Sequence, residues 1–251
     1  MVSKNTIISY LQLLTDFGED EIIIPEGHKF FKKPKTVAVA PKGKIGQLEK
    51  LRQQYLTCRA CPLGESRINF VFGTGNPDTR LMFVGEGPGF DEDHKGEPFI
   101  GRAGKLLNDM IRGMTLDRSN VYIANIVKCH PMKDPSDPEL RGNDRPPVEA
   151  EARKCIHILH QQIQIIHPVL IIALGAVASR YLLPVEFKAL GDVRGRFFEY
   201  ITPDGKVTDT KIMPTYHPAA LLRDPRNKVP AWEDLKIAMR ELNLIIPKGY
   251  A

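Results

Sequence analysis

Four cysteines are spaced so that they could share one metal centre. Cys58 and Cys61 form a Cys-x-x-Cys pair, which lets two thiolates from one tight turn reach the same centre. Cys129 and Cys155 follow as single residues. Zinc and an iron–sulfur cluster both accept four thiolates, so this spacing does not decide between them. Buried free cysteines and a redox-active pair are the alternatives, but Pro62 and the two additional cysteines favour ligation.

A glycine-rich turn with nearby carboxylates follows a short apolar run at residues 81–84. Three of the five residues 85–89 are glycines, so the backbone there either turns tightly or lets a ligand approach closely. Glu86 lies within this turn, and we expect an acidic loop containing Glu92 directly after it. Because open α/β sheets bind ligands at the carboxyl ends of their strands, this position suits an active site. A surface turn followed by a solvated loop is the alternative.

Two more polar side chains lie at the ends of apolar runs. His217 follows the last of these runs, where a histidine is positioned for chemistry at the carboxyl end of a strand. Asn125 ends another, and its amide has one acceptor and two donors that can pair with the edge of a base. A core histidine and a capping asparagine are the ordinary alternatives.

An apolar pair and an arginine follow His217. Leu221 and Leu222 would be unusual in an exposed loop unless they contact a partner, and Arg223 comes directly after them. An apolar side chain beside an arginine is suited to opening a stack of bases. The alternative is that the two leucines begin a packed helix.

Apolar runs and helical periodicities alternate along the chain. We predict strands at 81–84, 121–126, 169–174 and 212–216, with a hairpin arm at 196–201. We predict helices at 45–57, 104–114, 147–166, 176–183 and 231–244. This alternation indicates an α/β protein with a parallel sheet that helices cover on both faces.

Two segments lack such periodicity. Residues 1–44 end in a stretch rich in Lys and Pro, so we expect a basic, flexible arm before a domain at 45–251. Residues 132–147 are rich in Pro, Asp and Gly and contain few apolar side chains, which predicts a loop.

The composition suits a globular protein that works inside the cell. Of the 251 residues, 42% are hydrophobic, and no apolar run is long enough to span a bilayer. The first residues lack the small-residue cleavage site of a signal peptide, so we expect a cytoplasmic protein. The 35 basic and 30 acidic residues leave a net charge of +5, which is compatible with a polyanionic partner without identifying one.

Five motifs together make the sequence resemble family 4 uracil-DNA glycosylases, the iron–sulfur branch of that superfamily. They are GEGPGFDEDHKGEPFIGRAGKLL from residue 85, VYIANIVKCHP from residue 121, LGAVAS from residue 174, VRGRFFEY from residue 193 and HPAALLRDP from residue 217. They occur in order within a match that covers roughly residues 51–244, and the four cysteines follow the order of the family.

The resemblance implies a three-layer α/β/α fold around a four-stranded parallel sheet. It implies hydrolysis of the N-glycosidic bond of deoxyuridine in single- or double-stranded DNA, which leaves an abasic site during base excision repair. It also implies a [4Fe–4S] cluster with a structural role, held by the four cysteines. We expect a monomer whose partner is uracil-containing DNA at the nucleoid, with no membrane involved.

Four residues are implied to catalyse the reaction. Glu86, Gly87 and Glu92 line the scissile bond and the attacking water. His217 faces the uracil O2, where negative charge develops as the base leaves. The best-known uracil glycosylases have an Asp where this chain has Gly87, so another carboxylate must activate the water. We expect either Glu86 or Glu92 in that role.

The implied substrate contacts follow from the need to flip the base out of a duplex before it can be reached. Phe99 stacks on the uracil, Asn125 pairs with its edge, and the remaining uracil contacts are Gly85, Gly87 and His217. Leu221 is implied to fill the space left by the flipped base, with Leu222 and Arg223 beside it.

A second hypothesis is a non-catalytic iron–sulfur module that binds DNA or accompanies a polymerase. Retention of the expected catalytic and uracil-binding residues favours the glycosylase. A related branch bonds covalently to the abasic sugar through a histidine in a basic insertion. Residues 132–147 contain no histidine, so we expect turnover rather than trapping.

Overall fold

The computed structural model describes residues 43–247, and every element named below belongs to that part of the chain. The arm expected at residues 1–44 lies outside it, apart from the last two residues. Among the helices within 43–247, none is both long and apolar enough to cross a membrane.

The strands form one mixed sheet. They are β1 (Thr74–Gly75), β2 (Leu81–Gly85), β3 (Tyr122–Asn125), β4 (Leu170–Leu174), β5 (Phe198–Ile201) and β6 (Val207–Thr215). Their order across the sheet is β1-β3-β2-β4-β6-β5. The four central strands pair in parallel, and β1 and β5 add an antiparallel strand at each edge. The expected four-stranded parallel sheet therefore corresponds to the centre of a six-stranded mixed sheet.

The helices of the described chain lie before, between and after these strands in the sequence. They are α1 (Gly43–Tyr55), α2 (Leu63–Ser66), α3 (Phe90–Lys95), α4 (Arg102–Gly113), α5 (Glu149–Ile166), α6 (Gly175–Leu182), α7 (Pro218–Arg223) and α8 (Lys228–Glu241). Short 3-10 turns occur at Arg118–Asn120, Leu190–Asp192 and Pro225–Asn227.

Two hydrophobic clusters cover the two faces of the sheet. In β2, Met82 and Val84 belong to one cluster, and Leu81 and Phe83 belong to the other, as expected for side chains that alternate along a strand. The first cluster includes side chains of α1, α5 and α6, and the second includes side chains of α4 and α8. Because helices pack on both faces, the protein has the three layers that the resemblance implied.

The acidic segment after residue 90 is a helix, not the expected loop. Gly89 precedes α3, and Gly96 ends it with φ 74°, a left-handed conformation that glycine adopts without strain. Three acidic residues in the first turn of α3 favour its N-terminus through the helix dipole. These signals were present in the sequence, but the helix is too short to show hydrophobic periodicity.

The segment 132–147 contains no helix, as predicted, but internal and external contacts hold it. Met132 pairs with Asp144 in an isolated antiparallel bridge. Asp144 Oδ1 lies 2.7 Å from Nε2 of the buried His130 and accepts the Phe90 N–H at 3.2 Å. A hydrogen bond therefore joins this segment to the start of α3, despite the polar composition of the segment.

Candidate active site and cysteine centre

The carboxyl ends of the parallel strands bring the predicted site residues together. Gly85 is the last residue of β2 and lies in register with Asn125, the last residue of β3. His217 follows β6 and is the N-cap of α7. Since parallel strands end at the same edge of a sheet, residues far apart in the sequence meet there.

Glycine is required at two positions of the turn after β2. A Cβ atom at Gly85 would lie 2.5 Å from Asn125 Oδ1 and 2.5 Å from Phe99 Cζ, closer than a real Cβ atom approaches its neighbours. A Cβ atom at Gly87 would lie 2.7 Å from Val127 Cγ2. The absence of side chains lets the amide and the aromatic ring meet over the backbone of β2.

The backbone carbonyl of Asn125 is hydrogen-bonded, whereas, among the described residues, the oxygen of its side-chain amide is not. Asn125 is only 1% exposed, yet its Oδ1 atom has no hydrogen-bond partner within residues 43–247. Buried polar atoms are nearly always paired, so this oxygen is available to a donor from a ligand. Its backbone carbonyl accepts from Lys128 Nζ at 2.9 Å, and Lys128 also donates to Gln162 Oε1 at 2.6 Å.

Phe99 forms another side of the site. Its ring is buried, and the ring centroid lies 5.5 Å from that of His217. The backbone of Phe99 has φ 55°, which a residue with a Cβ atom adopts only at a cost of about 1–3 kcal/mol. Such conformations persist where surrounding contacts impose them, and they are concentrated at functional sites.

His217 is held as a neutral donor. Its Nδ1 atom accepts a hydrogen bond from the Ala219 N–H at 3.1 Å, so the neutral ring carries its proton on Nε2. Burial, assisted by the Arg223 guanidinium, lowers the pKa of His217 to about 4. The imidazole is therefore neutral at physiological pH and carries its one N–H donor on Nε2.

Glu86 is the half-buried carboxylate of the turn after β2. Burial raises the pKa of Glu86, and the Arg223 guanidinium opposes that shift. No hydrogen bond described within residues 43–247 engages its oxygens, so they are available to a water molecule. Arg223 lies within electrostatic range of both Glu86 and His217, which links the two ends of the predicted site.

Glu92, the second candidate carboxylate, is occupied by backbone donors. Its Oε1 atom accepts from the N–H groups of Ile100 and Gly101, both at 3.0 Å. Its Oε2 atom accepts from the Gly89 N–H at 3.2 Å. Glu92 thus joins the start of α3 to the segment that follows Phe99, and these three bonds fix the geometry of the loop.

The two leucines, which were expected in an exposed loop, differ in their exposure. Leu221, the implied wedge, is 2% exposed and packs in the cluster between the sheet and the outer helices. Leu222 is 38% exposed, and Arg223 is exposed beside it. Both leucines lie in the second half of α7, whose buried face includes Leu221. The expectation that Leu221 is available to enter DNA does not hold in this conformation.

Electrostatic interactions among the four cysteines show that they lie near one another. Cys129 and Cys155 are buried, and Cys58 and Cys61 are partly buried. Burial raises the pKa of the Cys155 thiol, on which both Cys58 and Cys61 also act electrostatically. Within residues 43–247, no three Cys, His, Asp or Glu side chains converge closely enough to hold a single metal ion.

Two sulfurs receive hydrogen bonds from neighbouring cationic residues. Arg67 Nη1 donates to Cys129 Sγ at 3.0 Å, and the backbone N–H of Lys128 donates to Cys155 Sγ at 3.3 Å. Sequence reasoning missed both residues. The position of Lys128 between Asn125 and Cys129 was the available signal, because a lysine within an apolar run is seldom buried without a partner.

Several known proteins are similar to this chain over most of its length. A type-4 uracil-DNA glycosylase of Thermotoga maritima is 41% identical over 182 residues, which cover 72% of this chain and 86% of the relative. The Sulfurisphaera tokodaii type-4 enzyme is 39% identical over 210 residues, covering 82% of this chain and 89% of that protein. The Archaeoglobus fulgidus type-4 enzyme is 38% identical over 192 residues, covering 75% and 90%. Since the family model of the uracil DNA glycosylase superfamily also matches residues 72–236, this chain belongs to that superfamily.

Proposed function

We propose that this protein is a monofunctional uracil-DNA glycosylase of base excision repair. It flips deoxyuridine out of DNA and hydrolyses the N-glycosidic bond, which releases uracil and leaves an abasic site. The observation that carries the proposal is the meeting of Asn125, Phe99 and His217 around Gly85. The type-4 relatives, named as uracil-DNA glycosylases, support the same substrate.

Base recognition rests on Asn125 and Phe99. The open amide of Asn125 offers an acceptor to the uracil N3–H and donors to a neighbouring carbonyl oxygen. Cytosine presents the opposite pattern at these positions, so a fixed asparagine distinguishes the two bases. Phe99 provides an aromatic face on which the flipped base stacks, and Gly85 lets this ring and the Asn125 amide approach the backbone of β2.

His217 stabilises the leaving base. Uracil departs as an anion, and its O2 atom gains negative charge as the glycosidic bond breaks. The Nε2–H donor of the neutral imidazole is aimed into the site because Nδ1 is occupied by the Ala219 N–H. A donor that is already oriented stabilises the transition state without reorganisation.

We assign water activation to Glu86 and a positioning role to Glu92. The oxygens of Glu86 are unengaged and its pKa is raised, so it can accept a proton from water as the sugar takes on positive character. The carboxylate of Glu92 already accepts three backbone N–H groups and has little capacity left for water. Gly87 lies beside Glu86, and its lack of a side chain lets the backbone of this turn pack against Val127.

The cysteine centre is proposed to hold a [4Fe–4S] cluster on Cys58, Cys61, Cys129 and Cys155. Zinc and an iron–sulfur cluster both accept four thiolates. The resemblance to the iron–sulfur branch of the superfamily favours the cluster, and the N–H donors to Cys129 and Cys155 would stabilise thiolates at these positions. The role of the cluster is structural, joining the end of α1 to β3 and α5.

For DNA contact, exposure favours Leu222 over Leu221 as the side chain that fills the space left by the base. Arg223 beside it would contact a phosphate. The remaining expectations are proposals as well: single- and double-stranded substrates, a monomer, a basic arm before residue 45, and a location in the cytoplasm at the nucleoid.

The direct test uses labelled oligonucleotides that contain one uracil, single-stranded or opposite guanine or adenine. Incubation followed by alkali should cleave the strand at the uracil and leave a thymine control intact. Full-length protein that binds these oligonucleotides without producing alkali-labile sites would contradict the proposal and favour the non-catalytic module. The presence of Glu86, Asn125 and His217 at one edge argues against that module.

A further inference from the structure

The backbone at Phe99 must be held in place by something other than its own preference. Phenylalanine has no intrinsic tendency to adopt φ 55°, so the conformation depends on neighbouring groups. A Cβ atom at Gly104 would lie 1.9 Å from the Phe99 carbonyl oxygen, which shows how closely helix α4 passes this peptide. Close packing restricts where the carbonyl can go but does not satisfy it as an acceptor.

One guanidinium supplies the missing donors. Arg118 Nη1 donates to the Phe99 carbonyl at 3.1 Å, and its Nη2 donates to the carbonyl of Pro98. Asn108 Oδ1 in α4 accepts from Arg118 Nη1 at 3.2 Å and orients the guanidinium. The planar fork of arginine suits two adjacent acceptors, whereas a lysine offers a point charge.

The position of Arg118 is itself fixed by local sequence. It begins the 3-10 turn Arg118–Asn120, which Asp117 caps by accepting the Ser119 N–H at 2.8 Å. That turn leads directly into β3, whose far end carries Asn125. The turn and strand that run from Arg118 to Asn125 therefore carry both the amide that would pair with the base and the guanidinium that holds the Phe99 peptide.

We infer that Arg118 is a positioning residue for base recognition, which sets the Phe99 ring against the flipped uracil through the two carbonyls of residues 98 and 99. This inference rests on the proposed function. It predicts that Arg118 acts on excision through Phe99 alone, and not through the general stability of the fold. It also predicts that loss of Arg118 weakens the binding of free uracil, because stacking contributes to that binding.

The test is a double-mutant cycle of Arg118→Gln and Phe99→Ala, measured as single-turnover excision from a single-stranded uracil oligonucleotide. Arg118→Gln should slow excision by about 10- to 100-fold, the range expected when a reacting group is misplaced by a mutation outside the chemistry. It should also weaken inhibition by free uracil. Arg118→Lys should recover part of the loss. In the Phe99→Ala background, Arg118→Gln should cost less than about 3-fold.

Arg112→Gln is the matched control. Arg112 is an exposed arginine near the end of α4 that pairs with Asp109, and its loss should leave both measurements unchanged. If Arg118→Gln does not fold, the cycle is measured with Arg118→Lys instead. The inference again requires that the Arg118 substitution cost less excision in the Phe99→Ala background than in the wild-type background.

The inference would be overturned if Arg118→Gln slowed excision equally with and without Phe99→Ala, or if it left inhibition by free uracil unchanged. Neither result would affect the proposed function, provided that the wild-type protein excises uracil. A wild-type protein without excision would overturn the proposed function, and this inference with it.

Discussion

Among single residues, Glu86 and His217 differ most clearly in how they should respond to pH. As the pH falls through the raised pKa of Glu86, its carboxylate becomes protonated and can no longer accept a proton from water. The rate of excision should therefore fall on the acidic side. His217, with a pKa of about 4, is already neutral and adds no change between about pH 5 and 8.

Variants at the two positions separate these contributions. Glu86→Gln should lower the single-turnover rate by roughly 10²- to 10⁴-fold and remove its acidic decline. His217→Ala should lower the rate by about 10²- to 10³-fold and keep the decline. Rates measured across pH on single-stranded substrate would check both. An acidic decline that survives Glu86→Gln would assign the base to another carboxylate, with Glu92 the first to examine.

Asn125 allows a second prediction for a single side chain. Asn125→Asp keeps the size of the side chain but replaces the two amide donors with an acceptor. A site built on such donors loses its ligand when they are removed, so excision should fall by about 10³-fold or more while DNA binding stays nearly intact. Single-turnover excision and binding to a uracil-free oligonucleotide measure the two effects. Unchanged excision would mean that a different residue reads the base.

At the scale of elements, α7 carries two leucines with opposite surroundings. Leu222→Ala should slow excision from duplex DNA more than from single strands, because only the duplex requires the base stack to be opened. Leu221→Ala should instead reduce the free energy of unfolding by about 2–5 kcal/mol, since it leaves a cavity in the core. Denaturant unfolding and excision on both substrates test this assignment. A selective loss on duplex DNA in a stable Leu221→Ala variant would restore Leu221 as the wedge.

A second element, α3, lies where the sequence predicted an acidic loop. Its carboxylates serve structure as well as charge, because Glu92 receives three backbone N–H groups and the buried Asp93 receives those of Ile68 and Asn69. The helix thus joins the turn after β2 to two other segments. A pattern of acidic residues identified the position but not these bonds, which depend on backbone groups from elsewhere in the chain.

For the whole molecule, the cysteine centre makes a testable prediction about composition and stability. Protein purified without oxygen should be brown and contain about four irons per chain. Cys155→Ala should lower the midpoint of thermal unfolding by roughly 10 °C, because the proposed cluster, which would tie α1 to the core, would lose a ligand. Iron analysis and thermal unfolding provide the measurements. Stoichiometric zinc without iron in an undisturbed preparation would contradict the cluster.

Local sequence determined much of this protein. The alternation of apolar runs with helical periodicities predicted the central strands, the long helices and a parallel sheet covered on both faces. Each of these patterns is read within one segment, so no knowledge of distant contacts is needed. The ends of the predicted strands placed Gly85, Asn125 and His217 at the carboxyl edge of the sheet, and the family resemblance then assigned the three residues to one uracil site.

The tertiary structure alone decided what depends on groups distant in sequence. The edge strand β1 is two residues long and exists only because β3 pairs with it. The assignment of water activation to Glu86 and not Glu92 depends on which carboxylate oxygens already accept hydrogen bonds. The assignment of Leu222 and not Leu221 to the space left by the base depends on which side of α7 meets the core. The two carbonyls held by Arg118 likewise come from another segment. Residue type sets which bonds a side chain can make, but the packed chain determines which of those bonds are left for a ligand.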